Sequence, residues 1–378
     1  METDIIKVLQ VNADNFGAGG ISVIIWRIME TLKEENITMS FLTQCKNRDE
    51  DYVKQVVEQG GKVHYIQVSS NVIFRYYDRY RKFYKLIKKS DYNIVHINGN
   101  ESFGIISYVL AAKKAKCKIV IHAHSTKFKN EKYIFIKKIL KLFFQPSLIN
   151  NADCMLACSL EAAKFMYGKA ADKAIIVKNG LDPKLYAFDS EARKSIRADM
   201  LTNEKIVIGH IGRFVYPKNH EFILDVFEEI LKMNLNAELW LIGEKSGEEY
   251  EKICVKTKQG LLNGRVKFVG NTSKIKEYLS AMDAFLFPSR FEGLPLALIE
   301  AQVNGVPIVC SDVITDEAIF SSNVMKISLK APSTQWAEKI LEAANREREY
   351  ITDGNIKSDF DITNVSKIVL GEYKKLVG

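Results

Sequence analysis

Short apolar runs alternate with longer amphipathic stretches along most of the chain. The runs are rich in Val, Ile and Leu and have the length of strands buried on both faces. Between them, apolar residues recur at helical spacing, as in Ile21–Lys33 and Glu221–Lys232. The predicted strands form two series: Ile5–Val11, Val63–Val68, Ile94–Ile97, Lys118–Ile121, Cys154–Ala157 and Ile175–Val177, then Ile206–Ile211, Glu238–Ile242, Val266–Val269, Ala284–Phe287 and Pro307–Cys310. This alternation predicts an α/β fold with parallel sheets built from βαβ units.

Two series of strands predict two Rossmann-like domains, and 378 residues are enough for both. The turn-rich cluster Asn179–Pro183 indicates the boundary between them. We assign residues 1–182 to an N-terminal domain and residues 183–360 to a C-terminal domain. Residues 361–378 are predicted to form a final helix.

Charge is unevenly distributed. Residues 1–180 hold 28 of the 54 basic residues but only 17 of the 46 acidic ones. A basic half is typical of a domain that meets an anionic ligand or surface. The six cysteines are scattered without a C-x2-C pair, which favours reduced thiols in a cytoplasmic protein. We expect neither a signal peptide nor a membrane span, because no apolar run approaches ~18 residues.

The strongest chemical signal is a pair of carboxylates, Glu292 and Glu300, on either side of a turn. The turn opens onto a helix predicted to begin near Leu294, whose free N–H groups would bind an anion. Glu292 would lie at the mouth of this site and Glu300 about two turns along the helix. The backbone candidates for donor binding are Gly293, Leu294, Pro295 and Leu296.

Two basic residues follow another glycine. A predicted strand leads to Gly212, Arg213 follows directly, and Lys218 comes five residues later. Arginine can bind a phosphate bidentately and lysine acts as a mobile point charge, so the two suit a diphosphate. A solvated loop with two basic residues is the alternative.

These patterns resemble the E-x7-E and G-R…K elements of retaining GT-B glycosyltransferases of glycosyltransferase family 4, and among them the capsule and exopolysaccharide enzymes of bacteria. The resemblance covers nearly the whole chain and is strongest in 175–312. It implies two Rossmann-like domains that face each other across a cleft, with the C-terminal helix crossing back to the first domain. It also implies that Arg213 and Lys218 neutralise the leaving diphosphate. Glu292 would face the donor sugar, and Glu300 would bind the ribose hydroxyls.

The first domain carries weaker candidates. Gly19 and Gly20 lie in a glycine-rich loop, where the backbone can approach a ligand closely. The resemblance places this loop near the donor phosphate, although Ser22 stands where many family members have an acidic residue. It places His124 at the family's active-site histidine, which contacts the donor sugar. A plain turn is the alternative for the glycines, and a structural or metal-binding role is the alternative for His124.

Asn98 stands where the family has the second histidine of an H-x-H motif. With Glu101, it is a candidate for binding the hydroxyls of an acceptor sugar, and a polar loop without that role is the alternative. Residues 49–51 match the D-x-D metal motif of the other large glycosyltransferase fold, but we interpret them as a solvated charge cluster. We therefore expect no metal cofactor, because fixed cations and helix N–H groups can do the same work.

Two basic, aromatic segments remain, at 74–89 and 127–144. The second repeats apolar residues at helical spacing, with lysines between them. Such a helix can lie on an anionic membrane. It can equally pack its apolar face into the core, and the sequence leaves both possibilities open. No recognised motif accompanies the charge, so we expect no nucleic-acid partner.

The sequence thus predicts a retaining, metal-independent glycosyltransferase. Its donor would be a nucleotide sugar, by family habit a UDP-linked hexose or N-acetylhexosamine. The resemblance implies a saccharide acceptor that is linked to a lipid. The expected setting is capsular or exopolysaccharide synthesis at the inner face of the cell membrane. Two alternatives fit the motifs less well. An epimerase on the same fold lacks the combined motifs, and a non-catalytic nucleotide-sugar-binding subunit is opposed by the intact charged pairs, although Ser22 and Asn98 depart from the family pattern.

Overall fold

The computed structural model describes residues 5–12, 20–44, 50–128, 133–233, 236–349 and 358–378. The chain divides into two compact units. The first comprises Met1–Leu181 with Ser358–Gly378, and the second comprises Asp182–Lys357.

The first unit is built on a seven-stranded parallel sheet in the order β3-β2-β1-β4-β5-β6-β7. Its strands are β1 (Ile6–Val11), β2 (Ile37–Thr43), β3 (Val63–Tyr65), β4 (Ile94–Gly99), β5 (Lys118–Ala123), β6 (Cys154–Ala157) and β7 (Ile175–Ile176). The strand order reverses between β1 and β4. In open α/β sheets, ligands bind at the carboxyl ends of the strands beside such a reversal.

Helices cover this sheet. They are α1 (Gly20–Thr31), α2 (Glu50–Glu58), α3 (Val72–Ile87), α4 (Ser102–Ala115), α5 (Ile134–Asn151), α6 (Leu160–Tyr167) and, from the end of the chain, α13 (Ile362–Val377). Helix α4 packs against both α3 and α5, whereas α13 packs on α1 and β1. Asp361 caps α13 by accepting from the amides of Thr363 and Asn364. The final helix therefore belongs to the first unit.

The second unit has a six-stranded parallel sheet in the order β10-β9-β8-β11-β12-β13, which reverses between β8 and β11. Its strands are β8 (Ile206–Ile211), β9 (Ala237–Ile242), β10 (Val266–Gly270), β11 (Ala284–Phe287), β12 (Ile308–Ser311) and β13 (Val324–Ile327). Its helices are α7 (Ser190–Asp199), α8 (His220–Met233), α9 (Glu248–Lys256), α10 (Ile275–Ala281), α11 (Leu296–Asn304) and α12 (Ser333–Ala344). Its core centres on fully buried side chains such as Phe227 and Trp336.

The predicted α/β class, with two Rossmann-like domains and a final helix that returns to the first, is confirmed. Two strands were missed. In β2 (Ile37–Thr43), serine and threonine interrupt the apolar run, and β13 (Val324–Ile327) is an edge strand with an exposed lysine. Edge and mixed-polarity strands carry a weaker apolar signal than strands buried on both faces.

Candidate functional site

Hydrogen bonds connect two loops of the second unit at the point where the strand order of its sheet reverses. Residues 212–219 follow β8, and residues 288–295 follow its neighbour β11. Arg290 donates its backbone N–H to the Pro217 carbonyl over 2.8 Å, and its guanidinium donates to Asn219 Oδ1. These bonds hold the two charged motifs side by side at the carboxyl edge of the sheet.

Lys218 and Glu292 form an ion pair that joins the same two loops. Lys218 Nζ lies 2.8 Å from Glu292 Oε1, and each side chain is only 17% exposed. Arg213 differs, because its exposed side chain makes no hydrogen bond or ion pair with any residue that the structure describes. The family resemblance predicts that Lys218 binds phosphate and that Glu292 faces the sugar. In the structure the two side chains are partners of each other.

Helix α11 begins two residues later than the sequence predicts. We expected a start near Leu294, but the first helical residue is Leu296, with Pro295 at the N-cap in an extended conformation (φ −76°, ψ 107°). No side chain caps the helix. The Leu298 N–H donates to the Pro295 carbonyl over 3.2 Å, whereas the amides of Leu296 and Ala297 have no acceptor among the described residues and stay available to an anion. Glu292 therefore lies in the loop and not on the helix. Glu300 lies in the second helical turn and is 8% exposed.

Gly212 lies where the end of β8 approaches the loop after β9. A Cβ added to Gly212 would come within 2.9 Å of His210 Nε2 and 3.0 Å of Lys218 Cδ. A Cβ added to Gly243 would lie 2.2 Å from the Gly212 carbonyl oxygen, which is closer than any van der Waals contact. Close packing against the backbone therefore excludes a side chain at Gly243, whereas a Cβ at Gly212 would require the side chains of His210 and Lys218 to shift.

Two buried histidines pack beside Lys218. His210 donates from Nδ1 to the Leu286 carbonyl over 2.9 Å, while its Nε2 and both nitrogens of His220 have no partner among the described residues. Burial holds the pKa of His210 well below its usual value, with His220 and Lys218 adding to the effect. Burial, and then the Lys218 charge, lowers the pKa of His220 to about 3. Both rings are neutral at pH 7, so the positive charge of these two loops comes from the side chains of Arg213, Lys218 and Arg290.

In the first unit, hydrogen bonds connect buried side chains at the carboxyl ends of β1, β4 and β5. Gln10 Nε2 donates to Tyr373 Oη over 3.1 Å, and Tyr373 Oη lies 2.5 Å from His96 Nδ1. Asn98 Nδ2 donates to Gln10 Oε1 over 3.1 Å, and Asn98 Oδ1 lies 2.9 Å from His124 Nε2. Asn98, a candidate for binding an acceptor, is 1% exposed and uses its amide inside the unit.

Three histidine rings lie together in this network. The His122 centroid is 5.4 Å from that of His96 and 4.1 Å from that of His124. Burial is the first cause that lowers the pKa of each ring, to about 3 for His122 and well below the usual value for the other two. Strand β5 extends to Ala123, so His122 lies inside the strand and His124 directly after it. The catalytic role of His124 stays a prediction.

The remaining candidates occupy loops and helix ends. Gly20 is the exposed first residue of α1, while Gly19 lies outside the described residues. Glu101 is the N-cap residue of α4, although its side chain makes no capping hydrogen bond. Gly293 and Leu294 form the bend that leads into α11.

The D-x-D match at residues 49–51 lies partly outside the described residues, because Asp49 is not among them. Glu50 and Asp51 occupy the first turn of α2, where negative side chains interact favourably with the helix dipole. Within the described ranges, no cluster of three or more His, Cys, Asp or Glu side chains is placed to hold a metal ion. Metal independence stays a prediction.

Sequence reasoning missed four residues that organise these sites. Gln10 interrupts an apolar strand, and Tyr373 falls on the apolar face of the last helix, so both left a weak signal in the sequence. Arg290 and Asn219 left none, because their bond joins residues 71 positions apart.

Two protein-family models match the chain in succession. The model for Glycosyltransferase Family 4 matches residues 18–185, and the model for Glycosyl transferases group 1 matches residues 192–355. The putative glycosyltransferase EpsF of Bacillus subtilis is 27% identical over 97% of this chain and 96% of its own. The capsular polysaccharide biosynthesis glycosyltransferase CapH of Staphylococcus aureus is 26% identical over 94% and 95%. The Escherichia coli UDP-Gal:α-D-GlcNAc-diphosphoundecaprenol α-1,3-galactosyltransferase is 28% identical over 61% and 60%.

Among solved structures, Anabaena HepE in complex with UDP and glucose resembles this chain with a TM-score of 0.75 and 14% identity, covering 98% of this chain and 99% of that one. At this identity the likeness concerns the fold alone. Fold and family models together define the chain as a glycosyltransferase of the GT-B fold. It is homologous to bacterial capsular and exopolysaccharide glycosyltransferases, which confirms the class predicted from the sequence.

Proposed function

We propose that this chain is a retaining, metal-independent glycosyltransferase of polysaccharide synthesis that transfers a hexose or N-acetylhexosamine from a UDP-sugar to a lipid-linked saccharide. The observation that carries the proposal is the tied pair of loops in the second unit. They bring the exposed Arg213 guanidinium, the Lys218–Glu292 pair and the uncapped start of α11 to one edge of the sheet. A UDP-sugar and a lipid diphosphate acceptor are favoured because the E. coli relative is named for both.

Negative charge develops on the departing diphosphate as its bond to the anomeric carbon breaks. Arg213, Lys218 and the first amides of α11 stabilise this charge more in the transition state than in the bound donor, which accelerates the reaction. The acceptor hydroxyl attacks the same face of the sugar that the diphosphate leaves, and its proton passes to the leaving phosphate oxygen. The anomeric configuration is thereby retained without a side-chain base. Detection of a covalent glycosyl-enzyme would contradict this route.

The two carboxylates orient the donor. Glu300 accepts hydrogen bonds from the ribose diol, and bonds to a charged group contribute roughly 1.5–3 kcal/mol. Glu292 orients hydroxyls of the transferred sugar. Because Glu292 is already bonded to Lys218, the positions of sugar and diphosphate are coupled.

Calorimetric titration with UDP, GDP and ADP tests the donor site. We expect UDP alone to bind, with affinity unchanged by EDTA and strongly reduced by Arg213→Ala. Lys258→Ala serves as the control, because it removes an exposed cation from the same unit at a distance in sequence from both loops. GDP binding in place of UDP would overturn the donor assignment, and binding of none of the three would overturn the proposal.

A lipid-linked acceptor requires access to a membrane, and helix α5 offers a surface for it. Phe135, Ile139, Leu142 and Phe143 share one face of the helix by their spacing and are between 50% and 75% exposed. Leu148 is the one fully buried residue of the helix among those described. Leu140 and Phe144 are half-buried. The exposed apolar side chains of α5 support the membrane possibility, one of the two that the sequence leaves open.

Exposed basic residues lie on the neighbouring helices of this unit. Helix α4 packs against both α3 and α5 and exposes Lys113 and Lys114, while α3 exposes Arg81 and Lys85, and the exposed Lys88 follows it. Apolar side chains beside a field of cations are complementary to the surface of an anionic bilayer. No helix in the described part of the chain is long and apolar enough to cross a membrane. We therefore propose peripheral attachment through α5, supported by the charge of α3 and α4.

Flotation with lipid vesicles tests this attachment. We expect binding to an equal mixture of phosphatidylglycerol and phosphatidylcholine, and little binding to phosphatidylcholine alone. Replacing Phe135, Leu142 and Phe143 together by serine should weaken binding by at least about 100-fold, since each buried apolar side chain contributes about 1.5–3 kcal/mol. The matched control is Leu201→Ser, which changes an 84% exposed leucine of the second unit. Equal binding by the triple variant and the wild type would contradict the assignment to α5.

A further inference from the structure

One carbonyl group sets the direction of the hydrogen bonds around His124. Asn98 Nδ2 lies 3.2 Å from the Val11 carbonyl oxygen and 3.1 Å from Gln10 Oε1. A carbonyl oxygen can only accept, so the nitrogen end of the Asn98 amide must face Val11. The amide oxygen then faces the opposite way, and 2.9 Å from it lies His124 Nε2.

The protonation of His124 follows from this orientation. Asn98 Oδ1 has no hydrogen to donate, so His124 Nε2 must carry the proton of this bond. In a neutral imidazole, the other nitrogen, Nδ1, is then an acceptor. The main chain at His124 is fixed as well, because the His124 backbone N–H donates to the Gly99 carbonyl over 3.0 Å.

The Val11 carbonyl also sets the direction of the next bond in the network. Gln10 Oε1 accepts from Asn98, so Gln10 Nε2 donates to Tyr373 Oη. Tyr373 Oη lies 2.5 Å from His96 Nδ1 as well.

His124 is the member of the network that can meet a ligand. His96 and His122 are each 2% exposed, whereas His124 keeps part of its surface exposed. Burial, followed by the neighbouring His122 and His96, lowers the pKa of His124. A second proton on the ring is therefore disfavoured, and Nδ1 stays an acceptor at pH 7.

We propose that Asn98 is the positioning residue that holds His124 as the neutral Nε2–H tautomer, so that His124 Nδ1 accepts a hydrogen bond from a hydroxyl of the bound sugar. The tautomer stands on the contacts of the first unit alone, and only the sugar rests on the proposed function. Asn98 then acts through His124 and not by binding the acceptor. The side chain at position 98 thus determines whether His124 accepts or donates towards the ligand.

Nuclear magnetic resonance of the full chain, labelled with ¹⁵N in its histidine rings, tests the proposal without ligand. Two-bond ¹H–¹⁵N spectra distinguish the tautomers, and His124→Gln assigns the signal. We expect a protonated Nε2 and an unprotonated Nδ1 for His124 at neutral pH. An Nδ1–H tautomer, an equal mixture or a doubly protonated ring would overturn the proposal. Since no ligand is present, this result is separate from UDP binding, which tests the proposed function.

Three variants separate positioning from general destabilisation. Asn98→Ala should convert the His124 signal to a mixture of tautomers and lower kcat/KM by about 10–100-fold, as for other residues that orient a histidine. Tyr373→Phe should change the His96 signal and leave the His124 tautomer intact. Tyr167→Phe is the matched control, because Tyr167 is also fully buried but bonds only the Ile121 and Leu156 carbonyls. An unchanged His124 signal in Asn98→Ala would overturn the role of Asn98. If that variant does not fold, the tautomer of His124 in the wild-type protein tests the proposal by itself.

Discussion

Arg213→Ala is expected to lower kcat by about 10²–10³-fold, the usual loss when one fixed electrostatic donor to the transition state is removed. The Arg213 side chain is exposed and makes no polar contact with the described residues, so its removal leaves the fold intact. Stability should change by no more than about 0.5 kcal/mol, as for ordinary surface substitutions. The rate loss is therefore expected without a loss of folded protein.

Lys218→Ala should cause a similar rate loss together with a lower free energy of unfolding. Its ammonium pairs with Glu292, and removing it leaves a carboxylate that is only 17% exposed without that partner. Steady-state kinetics with a UDP-sugar and thermal unfolding of both variants provide the measurements. Lys258→Ala, which removes an exposed cation of the same unit, should change neither. If Arg213→Ala keeps the wild-type kcat, the guanidinium does not take part in stabilising the transition state.

The sequence predicted the fold well because parallel strands buried on both faces give continuous apolar runs. Strands such as Ile206–Ile211 and Ala284–Phe287 have the predicted bounds, since nothing in them competes with burial. The start of α11 was misplaced because both Leu294 and Leu296 suit a helix. Pro295, at the N-cap between them, fixes the boundary. Local composition thus identifies an element more reliably than it identifies the element's end.

The charged motifs could be found from sequence, but their partners could not. Arg213 and Lys218 were recognised from one loop, and Glu292 from another, without any sign that Lys218 and Glu292 pair. The same holds for Tyr373, which meets His96 across 277 residues. Such contacts depend on which strands are neighbours in the sheet, and no local sequence pattern predicts the order of strands.

Mild acid should destabilise both units, because the five most buried histidines are neutral in the folded protein. Burial lowers the pKa of His122 in the first unit and of His220 in the second to about 3, against a usual value of 6.5. Above pH 6.5 both states of each ring are neutral and stability is unaffected. As the pH falls below 6.5, the unfolded chain binds protons that the folded chain does not, and stability is lost until the pH reaches about 3. The slope is about 1.4 kcal/mol per pH unit for each ring.

Each of these two histidines should therefore cost about 2 kcal/mol between about pH 7.5 and pH 5, a window that lies above the titration of ordinary carboxylates. Urea unfolding across this pH range measures the loss in the free energy of unfolding. If the two units unfold in separate transitions, each transition should show this loss. His122→Gln should reduce the pH dependence of the first unit by about one proton, and His220→Gln that of the second. His64→Gln is the comparison and should reduce the pH dependence less, since His64 is only half-buried although burial and then the Lys62 charge lower its pKa as well. A free energy of unfolding that stays constant between these pH values would mean that the buried rings take up protons in the folded state. It would also contradict the neutral state of His124 that accepting a sugar hydroxyl requires.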